Sequence, residues 1–291
     1  MSEFVEIFEV GPRDGLQNEP GLIATEDKIN LVNQLSTAGF TRIEIASFVS
    51  PKWVPQMADS GEVLQGITRH EGKRYAALTP NMRGYERALA AKADEIAVFA
   101  SASEGFSQAN LNTDIAGSFE RFAPILDAAR HIDLPVRGYV SCVAECPYDG
   151  AVAPEQVAQV AEKLFAMGCY EISLGDTIGR ASPDQIAKML LAVREVVPAS
   201  RLAGHFHDTS TRALDNVDCA LSLGVRVFDA AVGGLGGCPF APGAAGNLAT
   251  EALNDHLLRL GYETGVDPAE LSKAADLARS MRSQGAKTER D

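Results

Sequence analysis

Short hydrophobic runs alternate along the chain with longer segments of helical period. Eight runs rich in β-branched and aromatic residues are predicted as strands, at 4–10, 42–48, 75–78, 95–100, 136–143, 170–174, 201–207 and 226–232. Helical segments lie between them, for example 25–38, which Gly39 follows, and 154–167, which begins with proline and precedes Gly168. The pattern therefore predicts eight strand–helix units.

Eight such units predict an α/β fold of the (β/α)8 TIM barrel type. Parallel strands need long crossover connections, and the helices between the strands supply them. An open doubly wound sheet is the alternative, but it would carry a G-x-G-x-x-G turn after its first strand, where this chain has GPRDG at 11–15. We predict one catalytic domain at 1–281, with an extra C-terminal helix at 268–281, and a polar tail at 282–291.

The composition narrows the class of protein. Among 291 residues, 39 Asp and Glu against 26 Lys and Arg give a net charge of −13, which argues against binding to nucleic acid or to an anionic membrane surface. No apolar stretch reaches the roughly 20 residues of a membrane span. The first residues lack the basic and apolar pattern of a targeting signal, so we expect none, and an odd number of cysteines, five, does not indicate a disulfide framework. We expect a cytoplasmic protein with reduced thiols.

A His-x-His pair ends the seventh predicted strand. Residues i and i+2 of an extended chain point to the same side, so His205 and His207 project together. Two imidazoles on one side suit a divalent metal. The alternative is a pair of hydrogen-bonded histidines near the rim of the barrel.

Polar residues also follow or interrupt other predicted strands. Active sites of such barrels lie at the carboxyl ends of the strands, so Asp14 could give a carboxylate to the same metal and Arg13 could stabilise an oxyanion. An exposed turn between two glycines is the alternative. Glu44 and Asp176 are acidic residues within apolar runs, where charges are rare unless they are paired. Each is either catalytic or a structural partner, for Arg13 or Lys52.

A long Gly-rich segment, 233–247, follows the eighth predicted strand, and six of the 14 residues at 233–246 are glycine. It is too long and too rich in glycine for a simple connector. Cys238 within it is either a thiol with a pKa lowered by a metal or an arginine, suited to proton transfer, or a buried small hydrophobic residue. Asn247 at its end is a metal-binding amide, the N-cap of a helix at 248–260, or both.

These segments resemble the hydroxymethylglutaryl-CoA lyases, within a wider group of metal-dependent lyase and synthase barrels that share an Arg-Asp-Gly-x-Gln turn and a His-x-His strand. The resemblance covers roughly residues 5–265. Its most specific segments are EVGPRDGLQNE at 9–19, SFVSPKWVPQMAD at 47–59, GDTIG at 175–179, GLGGCP at 234–239 and GNLATE at 246–251.

The resemblance implies roles for the candidate residues. The metal ligands would be Asp14, His205, His207 and Asn247, the catalytic pair Arg13 and Cys238, and the supporting acidic residues Glu44 and Asp176. One carboxylate, two imidazoles and one amide oxygen favour Mg2+ or Mn2+. The implied partner is an acyl-CoA thioester substrate, and the family leads us to expect a homodimer that serves leucine degradation.

The implied reaction is a retro-Claisen cleavage of 3-hydroxy-3-methylglutaryl-CoA to acetyl-CoA and acetoacetate. The metal would acidify the tertiary hydroxyl group of the substrate. His205 is the first candidate for the base that takes the hydroxyl proton, and Asp176 is the second. Arg13 would stabilise the enolate oxygen of the nascent acetyl-CoA, and Cys238 would protonate its carbon.

The chain departs from the family in two places. At 210–212 it reads STR where the family has Tyr-Gly-Gln, which puts a cation close to the expected mouth of the site, and Thr113 replaces a family cysteine. A related branched 3-hydroxyacyl-CoA, of citramalyl type or derived from an isoprenoid, is therefore an alternative substrate. A Claisen synthase of the same barrel group and a non-catalytic metal-binding protein are the alternative functions.

Overall fold

Eight parallel strands form a closed barrel in the computed structural model, which describes residues 2–236 and 246–288, with side chains up to residue 282. The strands in these ranges are β1 (Glu6–Glu9), β2 (Arg42–Ser47), β3 (Arg74–Leu78), β4 (Glu95–Ser101), β5 (Val136–Ser141), β6 (Glu145–Cys146), β7 (Gly150–Ala151), β8 (Glu171–Asp176), β9 (Leu202–Phe206) and β10 (Val227–Ala230). The barrel order is β1, β10, β9, β8, β5, β4, β3, β2, so the first and last strands pair and close the sheet. The predicted TIM barrel is confirmed.

Helices surround the barrel and connect its strands. They are α1 (Thr25–Thr37), α2 (Ser60–Gly66), α3 (Met82–Ala90), α4 (Glu104–Leu111), α5 (Ile115–Arg130), α6 (Pro154–Met167), α7 (Pro183–Arg194), α8 (Ala213–Ser222), α9 (Thr250–Arg259) and α10 (Pro268–Thr288). The extra C-terminal helix, α10, packs on α1 and continues past the predicted end at 281. Within the described ranges, no helix has both the length and the apolar character that crossing a membrane requires.

Local sequence explains where several helices begin and end. The side chain of Asn81 accepts a hydrogen bond from the Gly84 amide, 3.0 Å away, and caps α3, and Asp114 caps α5 in the same way. Gly168 ends α6 as predicted, with a φ of 112° that favours glycine. These signals set the helix boundaries independently of the barrel.

Two local structures differ from the sequence-based expectation. The antiparallel hairpin of β6 and β7, in the loop after β5, was not predicted. The helix expected at 248–260 begins at Thr250 with Ala249 as its N-cap, so the N-cap alternative for Asn247 is wrong and the metal-binding alternative stays a prediction. The backbone of Asn247 instead forms an antiparallel β-bridge with His207, so Asn247 lies in an extended segment before α9.

Charged side chains fill the amino-terminal half of the barrel interior. Arg137 pairs with Glu171 (Nε to Oε1, 2.7 Å) and with Asp229 (Nη2 to Oδ1, 2.7 Å), and all three side chains are buried. The ring of Phe8 lies 4.2 Å from the Arg137 guanidinium carbon. Because this half is filled, the cavity of the molecule opens at the carboxyl ends of the strands.

Candidate active site

A tight turn at the end of β1 holds Arg13 and Asp14. The carbonyl of Val10 accepts hydrogen bonds from the amides of Arg13 (3.1 Å), Asp14 (2.8 Å) and Gly15 (3.3 Å), which winds Gly11–Gly15 into one π-helical turn. Helix turns of this type are frequent at functional sites. The turn directs Arg13 and Asp14 into the cavity at the mouth of the barrel.

The two histidines at the end of β9 face Asp14. Ligand atoms of Asp14, His205 and His207 all lie within 4.8 Å of one another. Nε2 of His205 is 3.2 Å from Nε2 of His207 and 3.8 Å from Oδ2 of Asp14. One carboxylate and two imidazoles converging on a point fit a divalent cation, so these residues could hold a metal ion.

The pKa of His207 suits this role, whereas the pKa of His205 is raised, because the burial that lowers it is outweighed by the hydrogen bond and the charge of Asp229. Nδ1 of His205 lies 3.0 Å from Oδ2 of Asp229, so the outer nitrogen of the ring is bonded and Nε2 faces the cluster. Burial and the charge of His205 lower the pKa of His207 to about 4, which keeps this ring neutral at physiological pH. Neutral imidazole is the form that binds metals.

Asn247 reaches the same cluster from the other end of the Gly-rich segment. The Asp208 amide donates to the carbonyl of Gly246 at 2.7 Å, beside the bridge between His207 and Asn247. The Asn247 amide group then lies within hydrogen-bond distance of Asp14, with Nδ2 2.9 Å from Oδ2. Asn247, the fourth ligand that the sequence predicts, therefore lies beside Asp14 and His207.

Arg13 is a buried cation held by two carboxylates. Its guanidinium forms ion pairs with Glu44 and Asp14 and lies 5.6 Å from the centre of the Tyr139 ring. Burial would lower the pKa of Arg13, but the charge of Glu44 and then that of Asp14 raise it far above its ordinary value. Burial raises the pKa of Asp14, yet the charge of Arg13 and the histidines lowers it to about 2. Both groups are ionised at neutral pH.

The remaining sequence-predicted residues have different positions. Glu44 is the partner of Arg13 and also accepts a hydrogen bond from the Tyr139 hydroxyl at 3.1 Å. Asp176, at the end of β8, accepts one from the Ala181 amide at 2.9 Å, and burial raises its pKa although such backbone bonds lower it. This bond ties Asp176 to the loop after β8 and not to Arg13. Cys238 lies outside the described residues.

Sequence reasoning missed Asp229, Arg137 and Tyr139. Asp229 accepts hydrogen bonds from His205, Arg137 and the Ser173 hydroxyl, the last at 2.8 Å. Each missed residue is a polar side chain inside an otherwise apolar strand, which is the signal that identified Glu44. Applied to all eight strands, that signal would have found them.

A cavity of about 1100 Å3 opens over the cluster. Its lining includes Arg13, Asp14, Tyr139 and both histidines at the base, and the exposed side chains of Leu22 and Trp53 at the rim. Residues 210–212 are not among the described residues that line the cavity. Ser210 instead donates its amide to the carbonyl of Gly179 at 3.0 Å and supports the neighbouring loop.

The fold and the cluster define a TIM-barrel enzyme with a candidate metal site at the carboxyl ends of its strands. The HMGL-like family model matches residues 4–278, and the chain belongs to the HMGL-like family.

Three similar proteins cover nearly the whole chain. The crystal structure of an HMG-CoA lyase from Brucella melitensis is 59% identical, with a TM-score of 0.96, over 97% of this chain and 100% of that one. The 3-hydroxy-3-isohexenylglutaryl-CoA/hydroxy-methylglutaryl-CoA lyase of Pseudomonas aeruginosa is 54% identical over 97% of this chain and 96% of its own length. An HMG-CoA lyase from Acinetobacter baumannii, in complex with coenzyme A and 3-methylmalate, is 40% identical, with a TM-score of 0.91, over 96% and 92% of the two chains. The protein is accordingly a carbon–carbon lyase.

Proposed function

We propose that the protein cleaves 3-hydroxy-3-methylglutaryl-CoA to acetyl-CoA and acetoacetate with the help of a divalent cation. The observation that carries the proposal is the convergence of Asp14, His205 and His207 beside the buried cation Arg13, at the base of a large cavity. The names of similar lyases from other organisms supply the substrate, an acyl-CoA thioester. Among the described residues, no observation favours a synthase or a non-catalytic role.

The cation would be held by Asp14, His205, His207 and Asn247. Asp14 follows β1 and the two histidines lie at the end of β9, so two strand ends supply three oxygen or nitrogen ligands, and Nδ2 of Asn247 lies 2.9 Å from Oδ2 of Asp14. A mixed set of carboxylate, imidazole and amide oxygen ligands favours Mg2+ or Mn2+. When bound, such an ion acidifies a coordinated alcohol and stabilises the negative charge that develops on it.

Arg13 would stabilise the charge that moves onto the thioester oxygen as the carbon–carbon bond breaks. Its guanidinium is fixed by Glu44 and Asp14 before substrate binds, so no rearrangement is needed during the reaction. Asp14 and Glu44 together could neutralise this cation, but Asp14 also faces both histidines and would be shared with a bound metal ion. Arg13 lines the base of the cavity, where it could contact a substrate oxygen.

Two proton transfers complete the reaction. His205 is the first sequence-based candidate for the base, but with Nδ1 bonded to Asp229 and Nε2 proposed as a metal ligand, neither ring nitrogen keeps a free lone pair for the hydroxyl proton of the substrate. Asp176 is the second candidate for this base, and its raised pKa suits the task, although its described bond is to Ala181. Cys238 would protonate the carbon of the acetyl-CoA enolate.

A direct assay tests the substrate and the metal together. Purified protein with Mn2+ or Mg2+ is mixed with hydroxymethylglutaryl-CoA, and acetyl-CoA and acetoacetate are measured; removal of the metal with a chelator should abolish turnover. His205→Gln should lower kcat/KM by at least 10²-fold, whereas His131→Gln, a change at an exposed histidine, should leave it unchanged. Cleavage of another thioester but not of hydroxymethylglutaryl-CoA would refute the proposed substrate.

A longer branched thioester is a second candidate substrate. The relative from Pseudomonas aeruginosa is named for an isohexenyl as well as a methyl substrate, and the cavity here has apolar side chains, including Phe106 and Leu111, in its lining. An isohexenyl chain would bury apolar surface against such residues. The same assay with isohexenylglutaryl-CoA and citramalyl-CoA compares the three values of kcat/KM.

Location and assembly remain predictions. Cys142, Cys146, Cys169 and Cys219 are free thiols in the structure, which supports a reducing compartment such as the cytoplasm. A homodimer is expected from the family resemblance alone, and sedimentation velocity of the purified protein would test it.

A further inference from the structure

A buried carboxylate lies directly behind His205. Asp229, on β10, places Oδ2 3.0 Å from Nδ1 of His205, on β9, and the Asp229 side chain is completely buried. We propose that Asp229, clamped by Arg137, is a positioning residue that fixes the ring of His205 with its proton on Nδ1 and its Nε2 lone pair turned toward the cation. This inference rests on the proposed function, because it concerns the metal site of that function.

Every described neighbour of the Asp229 carboxylate is a donor. Nη2 of Arg137 lies 2.7 Å from Oδ1, Nη1 lies 3.0 Å from Oδ2, and the Ser173 hydroxyl lies 2.8 Å from Oδ2. An ionised carboxylate can only accept hydrogen bonds, so Nδ1 of His205 must donate. The other ring nitrogen of a neutral imidazole then carries the lone pair, and Nε2 is the nitrogen that faces Asp14 and His207.

Arg137 keeps this carboxylate from rotating. The guanidinium binds both oxygens of Asp229 in a two-point contact, which fixes the plane of the carboxylate as well as its distance. Glu171 holds Nε of the same guanidinium at 2.7 Å, and the rings of Phe8 and Tyr139 lie 4.2 Å and 4.9 Å from its central carbon. Arg137 is therefore fixed on several sides. It holds the carboxylate of Asp229 in place, and that carboxylate in turn holds the ring of His205.

A purely structural role is the alternative. Buried ion pairs such as Arg137 with Asp229 also occur in barrel interiors without any link to a metal. The two roles differ in what they predict: loss of a structural pair lowers the free energy of unfolding, whereas loss of a positioning carboxylate also weakens metal binding. Residues that orient a metal-binding histidine typically contribute 10- to 100-fold to metal affinity.

The first test uses the unaltered protein. Nitrogen-15 NMR of the metal-free protein at alkaline pH, with the His205 signals assigned by comparison with His205→Gln, reports which ring nitrogen carries the proton. We expect the proton on Nδ1 of His205. A proton on Nε2 would overturn the inference, and this readout does not depend on whether a metal binds.

The second test measures Mn2+ binding to metal-free protein by titration calorimetry. Asp229→Asn keeps the shape of the side chain and removes its charge, and we expect 10- to 100-fold weaker binding than in the parent protein. Glu95→Gln is the matched control, because Glu95 is a buried barrel carboxylate whose described partners are Tyr170 and Arg74. This control should lower the unfolding temperature and leave Mn2+ affinity unchanged.

The outcomes separate this inference from the proposed function. Asp229→Asn protein that binds Mn2+ as the parent does contradicts the positioning role, even if its unfolding temperature falls. A parent protein that binds no Mn2+ contradicts the proposed metal site itself, and the NMR measurement then still decides the protonation of His205. Should Asp229→Asn fail to fold, the NMR measurement on the unaltered protein alone supports or refutes the inference.

Discussion

At the scale of single residues, how far the charge of Arg13 is neutralised depends on how many other groups each of its carboxylate partners contacts. Arg13 has two carboxylate neighbours: Asp14, which also faces both histidines, and Glu44, which binds the guanidinium and the neutral Tyr139 hydroxyl. The planar fork of an arginine can contact Glu44 and still present donors to a substrate oxygen, which a lysine could not do in the same geometry. This sharing of the carboxylates explains why a cation can remain active inside a cluster of acidic residues.

Cys238 provides a prediction about a single residue. Cys238→Ala removes the proposed acid that protonates the acetyl-CoA enolate, and general acids typically contribute 10²- to 10⁴-fold to the rate. We expect a loss of that size in kcat for hydroxymethylglutaryl-CoA cleavage, with Mn2+ affinity unchanged, because the thiol is not a proposed metal ligand. Steady-state kinetics and calorimetry measure the two quantities.

The control for this prediction is Cys219→Ala. Cys219 is half-buried on α8 and its thiol contacts the Pro183 carbonyl at 3.3 Å, so its loss should change neither quantity. Full lyase activity in Cys238→Ala protein would show that another group donates the proton.

Single residues also show how far the sequence could predict the site. Asp14, His205 and His207 were predicted from their positions at strand ends, and the structure brings them within 4.8 Å of one another. Asp229 was missed although, like Glu44, it is a charged residue inside an apolar strand, and what the local pattern does not specify is its contact with His205 on β9. A charged residue in a strand can be recognised from sequence, whereas its partner across the barrel cannot.

At the scale of elements, the turn after β1 has its position fixed by a close contact with the segment after β10. A Cβ atom added to Gly15 would lie 2.6 Å from Cβ of Leu235. Real Cβ atoms do not approach so closely, so glycine at 15 allows the turn that carries Arg13 and Asp14 to lie against the base of the Gly-rich segment. Two separate parts of the sequence therefore position one site.

Gly15→Ala should move this turn. The added methyl must displace the turn or Leu235, and overpacking of this kind typically costs about 1–3 kcal/mol of unfolding free energy. We expect at least a tenfold loss in kcat/KM together with weaker Mn2+ binding, because Asp14 moves relative to the histidines. Gly61→Ala on α2 is the control, since the nearest atom to an added Cβ there lies 4.0 Å away. An unchanged kcat/KM in Gly15→Ala protein would mean that the turn accommodates the methyl group without moving Asp14.

The elements themselves were largely predictable. All eight barrel strands lie at the positions that the hydrophobic runs indicated, and α6 has the predicted bounds, because proline and glycine mark its ends. The β6–β7 hairpin was missed, since two-residue strands carry no period that a sequence pattern can register. Sequence periodicity therefore does not predict strands as short as β6 and β7, whose formation depends on the residues that surround them.

At the scale of the whole molecule, Glu9 links the end of β1 to the segment after β10 and to the start of α9, where the barrel closes. This fully buried residue ends β1, and its Oε1 accepts hydrogen bonds from the amides of Gly11 (2.7 Å) and Val232 (2.9 Å). Its Oε2 lies 2.6 Å from the hydroxyl of Thr250, at the start of α9. A protonated Glu9 could keep all three contacts, because Oε2 would then donate to the Thr250 hydroxyl.

The stability of the barrel should therefore depend on pH through Glu9. Burial raises the pKa of Glu9 to about 7, although its hydrogen bonds with Thr250, Val232 and Gly11 lower it. A raised carboxyl pKa means that the folded state binds the proton more tightly than the unfolded chain, whose glutamates titrate near 4.3. The contribution of Glu9 to the unfolding free energy is then fully present below about pH 4 and is lost as the pH rises through about 7.

Glu9→Gln should remove this pH-dependent loss of unfolding free energy. An amide reproduces the protonated carboxyl, accepting from Gly11 and Val232 and donating to Thr250, and it does not ionise. Between pH 5 and pH 8 the unfolding free energy of the variant should therefore rise relative to the parent by roughly 2–3 kcal/mol, at 1.36 kcal/mol per pKa unit. Denaturant unfolding at both pH values measures this difference, and Glu162→Gln, at an exposed position on α6, should show none. Parallel pH profiles for the parent and Glu9→Gln would mean that Glu9 stays ionised in the folded barrel, with its three hydrogen bonds outweighing its burial.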